Sequence, residues 1–438
     1  MHTFRTLKYP LSVFWETTPL CNHNCIHCFN YWRSDEEKAA DLKASSSAVS
    51  LREIRQKIEE LHPVTVIVTG GEPLMVWEEL RPEMERLVHA GIRVTMNTNA
   101  AMMTEEIADF LAKEKIALLV SFPCAEETVN DRITDTPGSY RRIQKGLTIL
   151  RTAGVSFSAN VVVSKKNLSY VKETAQCLVE DYGIQRLSLS RVGKPVNAGA
   201  SFDDWVLGET EVRQLIMETV ETHEQYHVDV DASAPYPVCA LESDAEFELL
   251  GGRRLCSAGK TSLVIGSDGS IKACPRDSFV YGNLFSETFA VIWERMGEWR
   301  TDELYPLECR ECTSFSSCRG ACRADALADT GTCKGMDTAA RPERLPLSFR
   351  KKKMTFPQYE KEARFSFRQD AHILEEREGY RISHWGQHVF VTEKAMRFLK
   401  EHPVFAKAEL IGVVEEKETD AVLYRLLSNG MIHAVDDR

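Results

Sequence analysis

No stretch of this 438-residue chain approaches the roughly 18 consecutive apolar residues that a helix needs to cross a bilayer. The opening residues, Met1-His-Thr-Phe-Arg, carry no apolar core of the kind a secretion signal requires. These absences lead to the expectation of a cytoplasmic protein with no membrane partner. Positive charge is also short: 54 Lys/Arg stand against 65 Asp/Glu, a net of −11, which argues against general nucleic-acid affinity. Cysteine is absent from the end of the chain, none of the 13 lying beyond Cys333. In a reducing compartment so many thiols point to metal ligation rather than to disulfides. Hydrophobic residues at 43% and charged residues at 27% are ordinary globular values, and the length suits two or three domains.

The densest cysteine signal is Cys21-Asn-His-Asn-Cys25-Ile-His-Cys28, which follows an apolar run, Leu11 to Trp15, read as a first buried strand. Three thiolates within eight residues can hold three irons of a [4Fe–4S] cube and leave the fourth iron open. Zinc is the competing reading. Structural zinc takes four protein ligands, usually as two separated pairs, and here only His23 or His27 stands ready to complete the set. Further on, Val64-Thr-Val-Ile-Val-Thr-Gly70-Gly71-Glu72-Pro73 is a β-branched strand ending in a glycine pair and an acid. Alone, that turn is a strand-to-helix connection in which Gly supplies positive φ.

Together the two motifs resemble the radical S-adenosylmethionine (SAM) superfamily over about the first 225 residues. The resemblance implies that Cys21, Cys25 and Cys28 hold a cluster whose open iron is chelated by the amino and carboxylate groups of SAM. It implies that Gly70, Gly71, Glu72 and Pro73 receive the SAM amino group, and that cleavage yields a 5′-deoxyadenosyl radical. An external electron donor such as flavodoxin or ferredoxin is implied as well. His27 stands where the family usually places an aromatic residue beside the adenine.

Apolar strands at Leu11–Trp15, Val64–Thr69, Arg93–Met96, Ala117–Ser121, Phe157–Val163 and Leu187–Ser190 alternate with helical patterns such as Leu51–Leu61 and Thr104–Lys113. This repetition means an α/β parallel sheet, and six units match the partial (β/α)6 TIM-type barrel implied by the resemblance. Chemistry in barrels gathers at the C-terminal strand ends. The resemblance places Asn99 and Ser121 near the SAM ribose, whereas capping of the following helices is the plainer role for Asn and Ser. Arg191 offers two parallel donors to the SAM carboxylate, or is a solvated surface arginine. After Ser121 the family often continues Leu-Asp-Gly; here Phe122-Pro123-Cys124 removes the acid and introduces a thiol, either a substrate contact or an inert buried Cys.

A second cysteine group reads Cys256-x12-Gly269-x4-Cys274, then Cys309-x2-Cys312-x5-Cys318-x3-Cys322, then Cys333. It resembles the SPASM domain, the auxiliary-cluster module of radical SAM enzymes that act on peptides. A zinc ribbon is the alternative, because Cys309-x2-Cys312 is also a zinc pair. Setting aside the three loop cysteines, Cys124 and Cys177 leaves eight, the number that two further four-ligand clusters require. The expectation is therefore SAM plus three [4Fe–4S] clusters. The resemblance divides the eight as Cys239, Cys256, Cys274 and Cys322 for the nearer cluster, and Cys309, Cys312, Cys318 and Cys333 for the farther. Cys239 lies outside the core pattern, and without it the nearer cluster has an open iron. Asp277 is a weak candidate acid or base alongside Cys124. The sulfatase-maturase pattern has an acid directly after the residue matching Cys274, where this chain has Pro275.

Expected boundaries are residues 1–225 for the barrel, 226–340 for SPASM, 341–364 for a linker and 365–438 for a final domain. Residues 341–370 hold nine Lys/Arg against four Asp/Glu, including Arg350-Lys-Lys-Lys353, and three prolines, which reads as a linker. Beyond it, strands at Phe365–Leu374 and Gly379–Ser383, helices at Thr392–His402, Lys407–Glu416 and Thr419–Ser428, and a closing strand at Met431–Val435 describe a small winged helix. It weakly resembles the PqqD-like peptide-recognition element of natural-product maturases. Residues 381–438 carry eight Lys/Arg against nine Asp/Glu, so the electrostatic footprint of a DNA-binding winged helix is missing. The favoured expectation is a maturase that installs a thioether, a carbon–carbon crosslink or a dehydrogenation in a ribosomal precursor peptide, whose leader the final domain binds. A small-molecule radical SAM dehydrogenase and a sulfatase-maturase-like enzyme are the alternatives.

Overall fold

The computed structural model describes residues 7–29, 49–195, 198–344, 349 and 355–435, so the basic run Arg350–Lys353 lies outside the described residues. Ten strands share one open sheet: β1 (Ser12–Glu16), β2 (Thr65–Thr69), β3 (Arg93–Thr98), β4 (Ala117–Ser121), β5 (Phe157–Val163), β6 (Arg186–Arg191), β7 (Asp229–Asp231), β8 (Ser262–Ile265), β9 (Ser270–Lys272) and β10 (Gly282–Asn283). Their spatial order is β10-β9-β8-β1-β2-β3-β4-β5-β6-β7. From β8 across to β7 every pair is parallel, and β9 and β10 continue antiparallel. Alternation of side chains decides the two faces. Val66, Val68, Val120, Val161 and Val163 are buried in one core with the helix residues Ile54, Ile58 and Leu80. Ile67, Leu119 and Asn160, of opposite parity, are only half-buried and form the inner face of the partial barrel.

All six expected strands are present, and four more, β7 to β10, join them. β7 is a seventh parallel strand, paired to β6 from Arg186↔Asp229 to Ser188↔Asp231. β8 pairs with β1 from Ser12↔Ser262 to Trp15↔Ile265, so the cysteine-rich segment extends the barrel sheet rather than beginning a new one. The expected boundary at residue 225 therefore falls within a single sheet, and one buried core runs from Val13 to Ala339. Phe349 still packs on that core, stacked on Phe247, whereas Tyr359 packs on the core of the tail.

The tail has a core of its own, including Phe365, Phe367, Ile382, Leu399, Phe405 and Leu423. The expected strand Phe365–Leu374 divides into β11 (Arg364–Phe367) and β12 (His372–Glu376), followed by β13 (Gly379–His384), β14 (Gln387–Val391), β15 (Val404–Ala406) and β16 (Ile432–Ala434). They make two three-stranded sheets, β15-β11-β16 and β12-β13-β14. Helices occupy Glu393–Glu401, Lys407–Ile411 and Glu416–Ser428, the second shorter than expected. β11 and β13 are paired on both sides, so neither the Phe365 segment nor Gly379–Ser383 offers the free edge expected of it.

The β12-β13-β14 meander docks on the barrel at the end where the parallel strands begin. Arg381, 1% exposed, donates from Nη2 to the His62 carbonyl at 2.8 Å and from Nη1 to the Pro10 carbonyl at 3.3 Å, just upstream of β2 and β1. Its Nε lies 3.6 Å from the buried Glu376 carboxylate, which accepts from the Lys8 amide at 2.8 Å. Removing one member of a buried pair strands the other charge, at about 3–5 kcal/mol. Arg381→Ala should therefore detach the tail, read as a lowered first unfolding transition and faster proteolysis between residues 341 and 364. Unchanged melting and cleavage would show that this contact does not hold the two bodies together.

Candidate cofactor site

The cysteine loop leaves the C-terminal end of β1, and its stem lies against the Gly70-Gly71 turn that leaves β2. Gly71 donates to the Thr18 carbonyl at 2.6 Å and Glu72 to that of Leu20 at 2.8 Å. A Cβ on Gly71 would stand 1.9 Å from the Leu20 oxygen, and one on Gly70, whose φ is +128°, 2.6 Å from that of Thr18. The glycine pair is thus required by close backbone approach. The far side of the loop is fixed too: Asn24 and Ile26 donate to the carbonyls of Thr134 and Ile133, both at 3.0 Å, and Ile26 packs beside Val192, Phe202 and Trp205.

Burial, reinforced by Cys28 and Cys21, raises the Cys25 thiol well above its ordinary range, a cost that a bound cation would reverse. Three thiols on one loop are the donor set of a cube with one open iron. Among the described residues the single group of three metal-binding side chains whose ligand atoms lie within 4.8 Å of one another is Glu85, His89 and Glu114. Burial holds His27 down at about 4, leaving a neutral ring.

Glu72 is 1% exposed and joins the β2 turn to the end of β3: it accepts from the Thr98 hydroxyl at 2.7 Å, the Asn99 amide at 2.8 Å and the Leu74 amide at 3.1 Å. Burial nevertheless raises its pKa. Asn99 does not cap the next helix, a role taken by Thr104. Its side chain turns to the cysteine loop, donating to Asn22 Oδ1 at 2.7 Å. Ser121 is exposed at the end of β4, and the helix after it is capped by Glu126.

Three expectations need correction or refinement. Arg191 is not available to a SAM carboxylate: it is buried, with Nη2 2.7 Å from Asp337 and 2.9 Å from Asp325. Arg276 approaches Asp325 at 2.6 Å, and the Asp337 carboxylate accepts from the Cys322 amide at 2.8 Å. Although burial opposes ionisation, Arg276 and Arg191 hold the Asp325 carboxyl below its ordinary range. Cys124 is fully buried and accepts from the Glu126 amide at 3.4 Å, which fits the inert reading and not a substrate contact. Asp277 has one oxygen bound by the Phe279 amide at 3.0 Å and the other buried without a partner; burial raises its pKa, as suits a proton acceptor.

Two polar features escaped the sequence reading. Glu16, at the end of β1, pairs with Lys272 of β9 at 2.9 Å, both buried. On the inner face Asn160, Ser188, Ser190 and Ser233 form a hydrogen-bonded ladder at 3.1–3.2 Å across β5, β6 and the segment after β7. Alternating Ser in Leu-Ser-Leu-Ser (187–190) was the available signal. Among the auxiliary cysteines, Cys239, Cys309, Cys312 and Cys318 line one cavity, which Cys256, Cys274, Cys322 and Cys333 do not. In this cavity Cys239 stands with Cys309, whereas the expected division placed it with Cys256.

Residues 15–178 match the family model of the radical SAM superfamily, and residues 256–313 that of the SPASM iron–sulfur cluster-binding domain. Curated relatives include the mycofactocin maturase MftC of Mycobacterium tuberculosis, 28% identical over 73% of this chain and 80% of that protein. Another is the AdoMet-dependent heme synthase of Methanosarcina barkeri, 25% identical over 74% and 93%. The crystal structure of Streptococcus suis SuiB bound to S-adenosylmethionine aligns with a TM-score of 0.59 at 18% identity, over 76% of this chain and 78% of that one, a likeness of fold.

Glu72→Ala would orphan three buried donors, at about 1–3 kcal/mol, whereas Glu72→Gln keeps an acceptor and should cost less; thermal unfolding measures both. For Asp325, a folded-state pKa below the unfolded value near 3.9 means that its stabilisation is full above that value and is lost as pH falls through the folded pKa. Asp325→Asn should flatten the acid limb of a denaturant-stability profile below about pH 4; an unchanged limb would remove Asp325 from the acid response.

Proposed function

We propose that this chain, which joins a radical SAM domain to a SPASM iron–sulfur domain, is a maturase that oxidatively modifies a ribosomally made precursor peptide. The observation that carries the reading is the joining of two cysteine sites within one core to a tail with a core of its own. The named activities of the relatives point the same way: MftC is a maturase, and the PqqA peptide cyclase of Gluconobacter oxydans is 23% identical over 75% of this chain.

A [4Fe–4S] cube with SAM bound would supply a 5′-deoxyadenosyl radical for hydrogen abstraction, and two auxiliary clusters an outlet for the second electron. Cys21, Cys25 and Cys28 would hold the cube, and Gly70 to Pro73 would face the amino group of SAM. Asn99, against the loop, and Ser121, exposed at the strand end, would meet the ribose. The Asn160–Ser188–Ser190–Ser233 ladder gives the inner face hydrogen-bonding groups with which to orient a substrate. Asp277, with one unpaired buried oxygen, would accept the proton released on oxidation. An external flavodoxin or ferredoxin would reduce the cube, and the setting would be cytoplasmic; no helix among the described residues is long and apolar enough to cross a membrane.

A PqqD-like role for the tail would place the leader at the opposite end of the sheet from the cysteine loop. Strands of five to seven residues at ~3.3 Å each make that a span of about 17–23 Å. The precursor would bridge it with at least about six extended residues. Open edges for the leader are on β14, β15 and β16 rather than on the doubly paired β13. The heme synthase among the relatives supports a second reading, a non-peptide substrate. Anaerobic incubation of the reconstituted chain with SAM, a reductant and a short peptide encoded beside it should yield 5′-deoxyadenosine and a peptide lighter by hydrogen. The Cys21/Cys25/Cys28→Ala variant should yield neither. Deoxyadenosine formation that no neighbouring peptide accelerates or consumes would favour the non-peptide reading.

A further inference from the structure

One cavity is lined by auxiliary cysteines: Cys239, Cys309, Cys312 and Cys318 share its wall with Phe315 and Met336. Backbone amides already point at its sulfurs: Arg341 to Cys239 at 3.1 Å, Ser314 to Cys312 at 3.3 Å and Val238 to Cys318 at 3.4 Å. Such N–H groups stabilise thiolate charge and tune a cluster. Cys239 is thus drawn into this wall from 70 residues upstream of Cys309 by the short helical turn Val238–Ala240, itself bonded to Cys318.

Cys333 is held elsewhere. Its carbonyl accepts from Arg323 Nη1 at 2.9 Å, and Arg323 is buried in the helix that starts at Cys322. Asp277 and Cys256 are charged neighbours of both the Cys333 and the Cys274 thiols. Arg276 approaches the Cys322 sulfur at 3.7 Å and lies beside Cys274 as well, linking the fourth member. Between Cys318 and Cys322 the chain passes through three successive left-handed residues, Arg319, Gly320 and Ala321 (φ 52°, 63° and 59°). Such a run is uncommon for L-residues, and it lies between Cys318, which lines the cavity, and Cys322, which does not.

We infer that Cys239, Cys309, Cys312 and Cys318 form one cluster site and Cys256, Cys274, Cys322 and Cys333 the other, so that Cys239 and Cys333 exchange places relative to the division implied by sequence resemblance. This rests on the reading that the chain holds auxiliary clusters. Each site then has four thiolates, which leaves no auxiliary iron open to substrate and fits both for electron transfer.

Iron analysis of double variants tests the pairing without reference to activity. Reconstituted wild-type chain should hold about twelve irons, three cubes of four. Cys239→Ala with Cys309→Ala strikes one site twice and should leave about eight irons; Cys333→Ala with Cys309→Ala strikes both and should leave about four. The opposite pattern overturns the division. To guard against misfolding or three-thiolate cubes, serine variants are compared by electron paramagnetic resonance of the reduced protein. Cys239→Ser and Cys309→Ser should alter the same signal and Cys333→Ser another; a shared response of Cys309 and Cys333 overturns the division as well. Wild-type chain that binds only about four irons would instead defeat the auxiliary-cluster reading itself.

Discussion

Three buried charges, Arg191, Asp325 and Asp337, with the half-buried Arg276, fix the relation between the barrel and the cysteine-rich segment. Arg191 ends β6, Asp325 lies within the helix that Cys322 caps, and Asp337 follows that helix. Within this set each carboxylate meets a guanidinium and Asp337 also takes the Cys322 amide, while Arg191 Nε is buried without a hydrogen-bond partner. Deleting one member would leave an uncompensated charge in the interior, which is far costlier than losing a surface pair. A cysteine ligand whose backbone amide is part of that set cannot shift without disturbing it.

A second buried pair, Glu16 with Lys272, acts where the cysteine loop leaves β1. It reaches across β8, which pairs with β1, so that the cysteine-rich segment shares hydrogen bonds with the strand that carries the loop. The distance between the loop and the later cysteines is therefore a property of one packed body and not of two hinged domains. That rigidity matters for any electron transfer between them, since positions must hold without reorganisation.

Much of this was legible because its causes are local. Three thiols in eight residues, a β-branched run before Gly70-Gly71, and alternating strands and helices each declare themselves within a short window. Features set by distant partners did not. Arg191 finds Asp337 146 positions away and Lys272 finds Glu16 256 away, so a residue that reads as a solvated or ligand-facing charge proves to be an internal tie. β7 is only Asp-Val-Asp, too short and polar for any periodic signal, and is defined by its pairing with β6. Gly379–Ser383 looked like an edge because β14 on one side and β12 on the other were not separately recognised. The place of Cys239 belongs to the same class: spacing counts ligands, but only the fold brings Val238–Ala240 into the cavity wall beside Cys309, Cys312 and Cys318.

The tail adds a constraint of a different kind. Its attachment uses backbone carbonyls of Pro10 and His62, which stand at the start of β1 and β2, whereas the cysteine loop and the Gly70-Gly71 turn stand at the ends of those strands. A leader held by the tail, as proposed, would be bound the full depth of the sheet away from the loop. A small substrate would gain nothing from contacts so far from the reacting centre. An extended chain would gain affinity at one end while its other end is left free to be positioned by the inner-face ladder, since binding free energy from a remote segment raises the local concentration of the part that reacts. The geometry therefore favours a linear polymer over a compact metabolite, for a reason independent of the names of the relatives.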